Sequence, residues 1–176
     1  MIDKEIDALI REVVDFPKKG ISFKDITPLL MDKKISDEII LEFKSRIMDL
    51  DIDAVVGIES RGFLYGFLLA NKLGVPFIPI RKSGKLPGET IKYKYDLEYG
   101  SSEVEIHKDD IKKDWNVLIH DDLLATGGTA CAAAELINLS GANVAGFTFI
   151  VSLNFLSPNK KLFKYSSNIF NLVEYK

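Results

Sequence analysis

Two adjacent carboxylates followed by a run of small residues form the most chemically informative part of the sequence. Asp121 and Asp122 end an apolar stretch, and small side chains dominate from there to Thr129. Small residues let backbone N–H groups approach an anion, a following helix adds its positive end, and threonine hydroxyls can donate further hydrogen bonds. We name residues 125–129 the phosphate loop: Ala125, Thr126, Gly127, Gly128 and Thr129. A loop suited to phosphate, placed beside two acids, predicts a site for a phosphorylated sugar whose hydroxyls donate to the carboxylates.

Other interpretations of this segment are weaker. No lysine follows Gly128 as a Walker loop requires, and the Gly-x-Gly-x-x-Gly dinucleotide fingerprint is absent. An ordinary strand-to-helix turn would explain the glycines. It would not explain two neighbouring carboxylates, which repel each other and cost stability unless something compensates them.

Alternating strand and helix patterns surround this segment. Apolar runs at 53–58 and 75–80 flank a helical pattern at 62–73 with Gly74 as its C-cap, and runs at 116–120 and 143–151 flank a helical pattern at 129–139. This order predicts an α/β fold with a mostly parallel sheet and right-handed crossovers. Asp121 and Asp122 should then lie just beyond a strand, at the edge where parallel sheets bind ligands.

The remaining patterns suggest a docking helix and a hairpin. Apolar residues from Ile2 to Val13 recur at helical spacing, a loop should run from Asp15 to about Pro28, and Ser36 is a plausible N-cap for a second amphipathic helix. Period-two alternation at 90–97 and 102–106 predicts an antiparallel hairpin, interpreted as an excursion from the sheet.

Composition excludes several classes of protein. A chain of 176 residues suits one domain, and 23 Lys and Arg against 26 Asp and Glu leave a net charge of −3 with no basic field for nucleic acid. Cys131, the single cysteine, excludes a disulfide framework. No signal peptide or membrane span is apparent in the sequence, so we expect a soluble, cytoplasmic protein.

Two further segments could serve such a site. Ser60 and Arg61 lie where a strand gives way to a helix, a place suited to anions, although Arg61 could simply pair with a surface acid. Arg81, Lys82 and Lys85 form either a solvated turn or a clamp for an anionic leaving group.

These segments together resemble a known family. Residues 117–129 resemble the phosphoribosyl pyrophosphate motif of the type I phosphoribosyltransferases, and residues 16–28, 57–63, 81–88 and 97–100 narrow the resemblance to the adenine-specific members. It runs from about residue 2 to the C-terminus. It implies one domain over residues 1–176, with an N-terminal helix and base-recognition hood at 1–35 and a flexible lid hairpin at 82–106.

The resemblance implies purine salvage: transfer of the 5-phosphoribosyl group from phosphoribosyl pyrophosphate to adenine, giving AMP and pyrophosphate. Asp121 and Asp122 would position the ribose hydroxyls, and the phosphate loop would hold the 5-phosphate. The pyrophosphate-binding residues would be Ser60, Arg61, Arg81 and Lys85, with a cis peptide between Ser60 and Arg61.

The hood would recognise adenine, and the lid would assist its attack on the anomeric carbon. Phe23 and Leu123 would sandwich the purine, while backbone groups of Ser22 and Lys24 would read its edge. Glu98 would act catalytically by taking the purine proton, and Tyr99 in the lid would exclude water.

The resemblance also implies Mg²⁺ bound mainly through phosphoribosyl pyrophosphate, with no direct metal ligand from the protein, and a homodimer. His120, where the family usually has an aliphatic residue, and Cys131 are expected to pack in the core. Two alternatives stay open: a non-catalytic regulator that senses phosphoribosyl pyrophosphate, and a transferase for another purine base.

Overall fold

A seven-stranded sheet forms the centre of the protein. The computed structural model describes residues 2–16, 18–96 and 100–176. In chain order the elements are α1 (Ile2–Leu9), β1 (Arg11–Val14), β2 (Ser22–Asp25), α2 (Thr27–Met31), α3 (Lys33–Arg46), β3 (Ala54–Ile58), α4 (Gly62–Leu73), β4 (Phe77–Lys82), β5 (Thr90–Asp96), β6 (Ser101–His107), β7 (Asn116–Leu124), α5 (Gly128–Leu139), β8 (Asn143–Leu153), a 3₁₀ turn (Asn154–Leu156), α6 (Asn159–Leu162) and β9 (Ile169–Tyr175).

The sheet is mostly parallel, as predicted. Its strand order is β5-β6-β4-β3-β7-β8-β9, and β4, β3, β7, β8 and β9 pair in parallel. One face packs on α1, α3 and α4 through a core that includes Phe43, Tyr65 and Leu118. The other packs on α5 and α6 through a core that includes Phe147 and Leu162. The predicted α/β architecture with flanking helices is confirmed.

The hairpin is part of this sheet, so its interpretation as an excursion was wrong. β5 and β6 pair antiparallel from Thr90 to Asp96, and β6 pairs antiparallel with β4 through Arg81↔Glu105 and Lys82↔Val104. Period-two alternation identified the hairpin, but the pairing with β4 depends on contacts distant in sequence.

The N-terminal helix prediction was too long. α1 ends at Leu9, and Val13 belongs to β1, where it pairs with Phe23 of β2 inside the segment predicted to be a loop. Val13 and Val14 are β-branched, and this strand pairing outweighs their helical spacing.

The N-cap of α3 is Asp32 and not Ser36. The Asp32 carboxylate accepts a hydrogen bond from the backbone N–H of Ile35 at 3.1 Å. Ser36 lies in the first turn, where its hydroxyl donates to the Leu29 carbonyl and bonds the Tyr65 hydroxyl at 3.0 Å. A polar residue four positions before the predicted cap provides the cap.

Strand ends differ from the predicted ones where buried strands continue past their apolar runs. β7 extends to Leu124, so Asp121 and Asp122 lie inside the strand. The prediction that they lie just beyond it was wrong. β4 begins at Phe77 and runs to Lys82, and β8 runs to Leu153. Gly74 ends α4 in the left-handed conformation, with φ of 74°, which confirms the predicted cap.

Within the described ranges, no helix has the length and apolar character needed to cross a membrane.

Candidate active site

A cavity of about 340 Å³ opens at the carboxyl ends of β3, β4 and β7. It brings together residues from four segments that are distant in sequence. Its polar lining comprises Glu59, Ser60, Arg61, Lys82, Tyr95, Asp121, Asp122 and Thr129, and Leu123 contributes an apolar wall. Parallel sheets bind ligands at this edge because successive strands and helix N-termini converge there.

The two predicted carboxylates lie at the base of this cavity in different environments. Asp122 is only 4% exposed, and the Arg61 guanidinium Nε donates to its Oδ2. Asp121 accepts a hydrogen bond from the Asp122 backbone N–H at 2.9 Å. Removal from water, together with the neighbouring Asp122 carboxylate, raises the pKa of Asp121 well above its ordinary value. The Arg61 cation therefore compensates one acid of the pair more directly than the other.

The phosphate loop encloses a second, smaller cavity beside the first. Asp121 and residues 123–130 line a space of about 80 Å³. Gly127 has φ of 80°, and its carbonyl accepts from the Cys131 N–H at 2.9 Å, which starts the hydrogen bonding of α5. A Cβ at Gly127 would lie 3.2 Å from the Pro158 carbonyl oxygen. Glycine therefore suits position 127 for two reasons: the backbone is left-handed there, and a side chain would crowd the Pro158 carbonyl.

The basic cluster is arranged by two acids that the sequence interpretation did not single out. Glu59 accepts from Arg81 Nε at 3.2 Å and from the Lys82 N–H at 3.0 Å. Glu105, 1% exposed, accepts from the backbone N–H groups of Lys85 and the following residue at 2.8 and 2.9 Å. Glu59 was within a quoted motif, whereas nothing in the alternating pattern of β6 marked Glu105 as buried.

Of the three cationic residues in this cluster, Lys82 lines the large cavity. Arg81 pairs with Glu59, and its Nη1 donates to the Lys85 carbonyl at 3.2 Å. The pyrophosphate-binding role of Arg81 and Lys85 stays a prediction. The cis peptide joins Glu59 to Ser60, so its predicted position between Ser60 and Arg61 was wrong by one residue.

The predicted base-recognition hood contains the β1–β2 hairpin. The Phe23 ring packs edge-on against Phe16 at 5.3 Å, and the Arg61 guanidinium lies 5.2 Å from its centre. Ser22 Oγ donates to the Glu12 carboxylate, and Lys24 Nζ lies 3.1 Å from that same carboxylate. Glu12 thus holds both side chains, and the reading of a purine edge by the backbone groups of Ser22 and Lys24 stays a prediction.

Two predicted residues, Glu98 and Tyr99, lie outside the described residues. Tyr95 from the same hairpin lines the large cavity and was not predicted as a site residue. Its signal in the sequence was its inward position in the alternating pattern of β5, shared with Ile91 and Tyr93.

His120 is a core residue, as predicted. It is completely buried, its Nδ1 lies 3.0 Å from the Thr148 hydroxyl, and Phe43 packs edge-on against its ring. Burial lowers the pKa of His120 to about 3, so the ring is neutral. Cys131 is half-buried against the α5-side core.

Comparison with known proteins identifies the family. A family model described as the phosphoribosyl transferase domain matches residues 29–172. The adenine phosphoribosyltransferase of Alkaliphilus metalliredigens is 53% identical over 161 residues, which cover 92% of this chain and 95% of that protein.

Solved structures agree with this match. The crystal structure of adenine phosphoribosyltransferase from Thermoanaerobacter pseudethanolicus superposes with a TM-score of 0.95 at 47% identity, covering 98% of this chain and 99% of that chain. The Saccharomyces cerevisiae enzyme, complexed with an imino-altritol bisphosphate and adenine, gives a TM-score of 0.90 at 40% identity, covering 97% and 98% of the two chains. The chain therefore belongs to the phosphoribosyl transferase domain family and, within it, to the adenine phosphoribosyltransferases.

Proposed function

We infer that the protein transfers the 5-phosphoribosyl group of 5-phosphoribosyl 1-pyrophosphate to adenine, releasing AMP and pyrophosphate. The observation that carries this inference is the convergence of Asp121, Asp122 and the phosphate loop on adjoining cavities. Relatives that are about half identical bear the name of this activity, and the similar yeast structure holds adenine.

The chemistry assigned to the site is displacement at the anomeric carbon. The bond from that carbon to pyrophosphate oxygen breaks, a bond to the purine nitrogen forms, and positive charge develops on the ribose ring in between. Asp121 and Asp122 position the ribose hydroxyls and offset this charge, while the phosphate loop anchors the 5-phosphate. Ser60, Arg61, Arg81 and Lys85 bind the pyrophosphate, and positive charge there stabilises the negative charge that grows on the leaving group. Lys82, which lines the large cavity with Ser60 and Arg61, adds to this charge.

Adenine recognition and proton removal complete the proposal. Phe23 and Leu123 hold the two faces of the purine, and backbone groups of Ser22 and Lys24 read its edge. The nitrogen that attacks carries a proton in free adenine, and Glu98 accepts that proton as the glycosidic bond forms.

Mg²⁺ is part of this proposal because the donor set suits an ion held chiefly by substrate. Mg²⁺ prefers oxygen ligands and keeps several of its waters. Among residues 2–16, 18–96 and 100–176, no group of three or more His, Cys, Asp and Glu side chains is arranged to hold a metal. Asp121 and Asp122 would hold the ion through ribose hydroxyls and water, and the bound ion would neutralise charge on the pyrophosphate.

The test is AMP formation from adenine and phosphoribosyl pyrophosphate, with Mg²⁺ or with EDTA, beside reactions offering hypoxanthine, guanine and xanthine. We expect turnover of adenine alone, and we expect EDTA to abolish it. Turnover of another base would overturn the hood assignment but keep the phosphate loop. Tight binding of phosphoribosyl pyrophosphate without turnover of any base would make the protein a regulator.

We also propose that the protein is a homodimer that pairs through α4. Three neighbouring apolar side chains of this helix, Leu64, Phe67 and Leu68, are exposed, and Phe67 is 58% exposed. Adjacent large apolar groups on a surface are typical of protein interfaces. They lie on α4, whose N-cap residue Arg61 lines the large cavity, so pairing there would be close to the cavity.

Light scattering tests this prediction. The wild type should have about twice the 19.7 kDa mass of the chain, and Phe67→Ser should shift it toward the monomer because the substitution removes apolar interface area. Leu139→Ser is the matched control, since Leu139 is 57% exposed but ends α5 on the opposite face of the sheet. A monomeric wild type, or dissociation by Leu139→Ser alone, would contradict the proposal.

A further inference from the structure

Tyr95 lies on the inner side of the hairpin. The side chains of Ile91, Tyr93 and Tyr95 pack toward the α5-side core, whereas Lys92 and Lys94 between them are exposed. Tyr95 is therefore the last inward-facing side chain of β5, three positions before Glu98 in the sequence.

Tyr95 reaches the phosphate loop directly. Its hydroxyl oxygen lies 3.3 Å from Thr129 Oγ1. Its ring lies over the start of α5, because a Cβ at Gly128 would be 3.9 Å from Tyr95 Cδ2. Tyr95 and Thr129 both line the large cavity, and Thr129 also lines the small cavity inside the loop. Tyr95 thus joins the hairpin to the large cavity and, through Thr129, to the phosphate loop.

We propose that Tyr95 is a positioning residue that orients the Thr129 hydroxyl toward the 5-phosphate and docks the hairpin on the loaded loop. This proposal rests on the proposed function, since it assumes that the loop binds phosphate.

The hydroxyl chemistry gives the direction of the contact. A threonine hydroxyl has one proton and two lone pairs, and a tyrosine hydroxyl can donate or accept. The oxygens of a phosphate dianion only accept hydrogen bonds, so the Thr129 hydroxyl must donate its single proton to the phosphate. Tyr95 then becomes the donor to Thr129, which fixes the threonine rotor with its proton directed at the ligand. Without the tyrosine hydroxyl, the Thr129 hydroxyl would be free to rotate.

Tyr95→Phe tests this because it removes one oxygen and keeps the ring. We expect KM for phosphoribosyl pyrophosphate to rise about fivefold, as for the loss of one hydrogen bond, with kcat and KM for adenine unchanged. Tyr93→Phe is the matched control: it removes a hydroxyl from the same strand and the same face, outside the cavity lining. It should leave all three constants as in the wild type.

Binding of ribose 5-phosphate, followed by calorimetry, separates this proposal from the proposed function because no base is involved. Its Kd should rise by the same factor in Tyr95→Phe and not in Tyr93→Phe. Ribose 5-phosphate should also slow hydrogen exchange in β5 and β6 of the wild type, but not of Tyr95→Phe.

Each contrary outcome overturns a definite part. Unchanged affinity of Tyr95→Phe for ribose 5-phosphate, or an equal loss of affinity in Tyr93→Phe, would refute the proposal. Tyr95 would then contribute only the packing of its ring. Wild-type protein that binds ribose 5-phosphate but converts no base would refute the proposed function and leave the role of Tyr95 in phosphate binding to be decided by the same titrations. Failure of the wild type to bind ribose 5-phosphate would refute both.

Discussion

Replacing both acids, Asp121→Asn with Asp122→Asn, is expected to lower kcat/KM by a thousandfold or more, on the order of the loss when preorganised charge is removed from a transition state. Asparagine keeps the size of the side chain and a hydrogen-bonding oxygen, so the cavity keeps its shape. What disappears is negative charge beside the ribose ring, where the transition state becomes cationic. The measurement is steady-state AMP formation by the double variant and by each single variant.

Stability should respond very differently from activity. Because the pKa of Asp121 is raised well above 3.8 in the folded protein, ionising this group opposes folding. Its favourable contribution is complete below the unfolded pKa, near 4, and is lost as pH rises through the raised folded value. An amide does not ionise, so Asp121→Asn should equal or exceed the wild type in free energy of unfolding at neutral pH. Urea titrations at pH 4 and pH 7.5 should show the advantage only at the higher pH.

Asp122→Asn, in contrast, should lower the free energy of unfolding. It removes the charged partner of Arg61 from a site that is almost fully buried on the carboxylate side. Arg61 is partly exposed and can recover water, which limits the loss. Asp109→Asn is the control, because Asp109 is exposed and lies outside both cavities. Near-normal turnover by the double variant would contradict the assignment of both acids.

Local sequence signals were enough to single out the acid pair and the phosphate loop that line the two cavities. The apolar run before Asp121, the small residues of the phosphate loop and the glycine cap at Gly74 each act within a few residues of the chain. Parallel pairing then brings strand ends together as a consequence of the α/β alternation. The phosphate loop and the acid pair were therefore predictable before any tertiary contact was known.

Features that depend on distant pairing were not predictable in this way. Val13 has helical spacing, yet pairing with Phe23 places it in a strand. The hairpin pattern gives no sign that Glu105 is buried. In the structure β6 pairs on both sides, and the Glu105 carboxylate accepts a hydrogen bond from the backbone of the loop at Lys85. In both cases a partner more than nine residues away in the sequence determines the environment of the residue. The local spacing of apolar residues does not reveal that partner.

Gly62→Ala is expected to reduce kcat/KM about a hundredfold, as misplacement of catalytic groups by about 1 Å can do. Gly62 begins α4 where the helix passes very close to β7. A Cβ there would lie 2.8 Å from Asp121 Oδ1 and 3.0 Å from the His120 carbonyl oxygen. The carboxylate could swing away, but the backbone of the central strand cannot, so the helix start must shift along with Arg61 beside it.

The sequence alone would favour the opposite expectation, since alanine is the better helix former by about 1 kcal/mol. Gly66→Ala separates the two effects. It makes the same chemical change one turn later in α4, where the nearest atoms to a Cβ are Phe77 Cε2 at 3.1 Å and His120 Cδ2 at 3.4 Å. The Phe77 side chain is only half-buried and can give way, so activity should stay within about twofold of the wild type, as for a tolerated core change.

Unfolding in urea completes the comparison. Gly62→Ala should lose about 1–3 kcal/mol of stability, the usual cost of overpacking, while remaining folded and able to saturate with substrate. Equal activity of the two alanine variants would mean that α4 can withdraw from β7 without moving the acids, and the close approach at Gly62 would then not be needed for catalysis. A loss confined to Gly62→Ala would mean that the glycine is required for the contact between helix and strand that places Arg61 against Asp122.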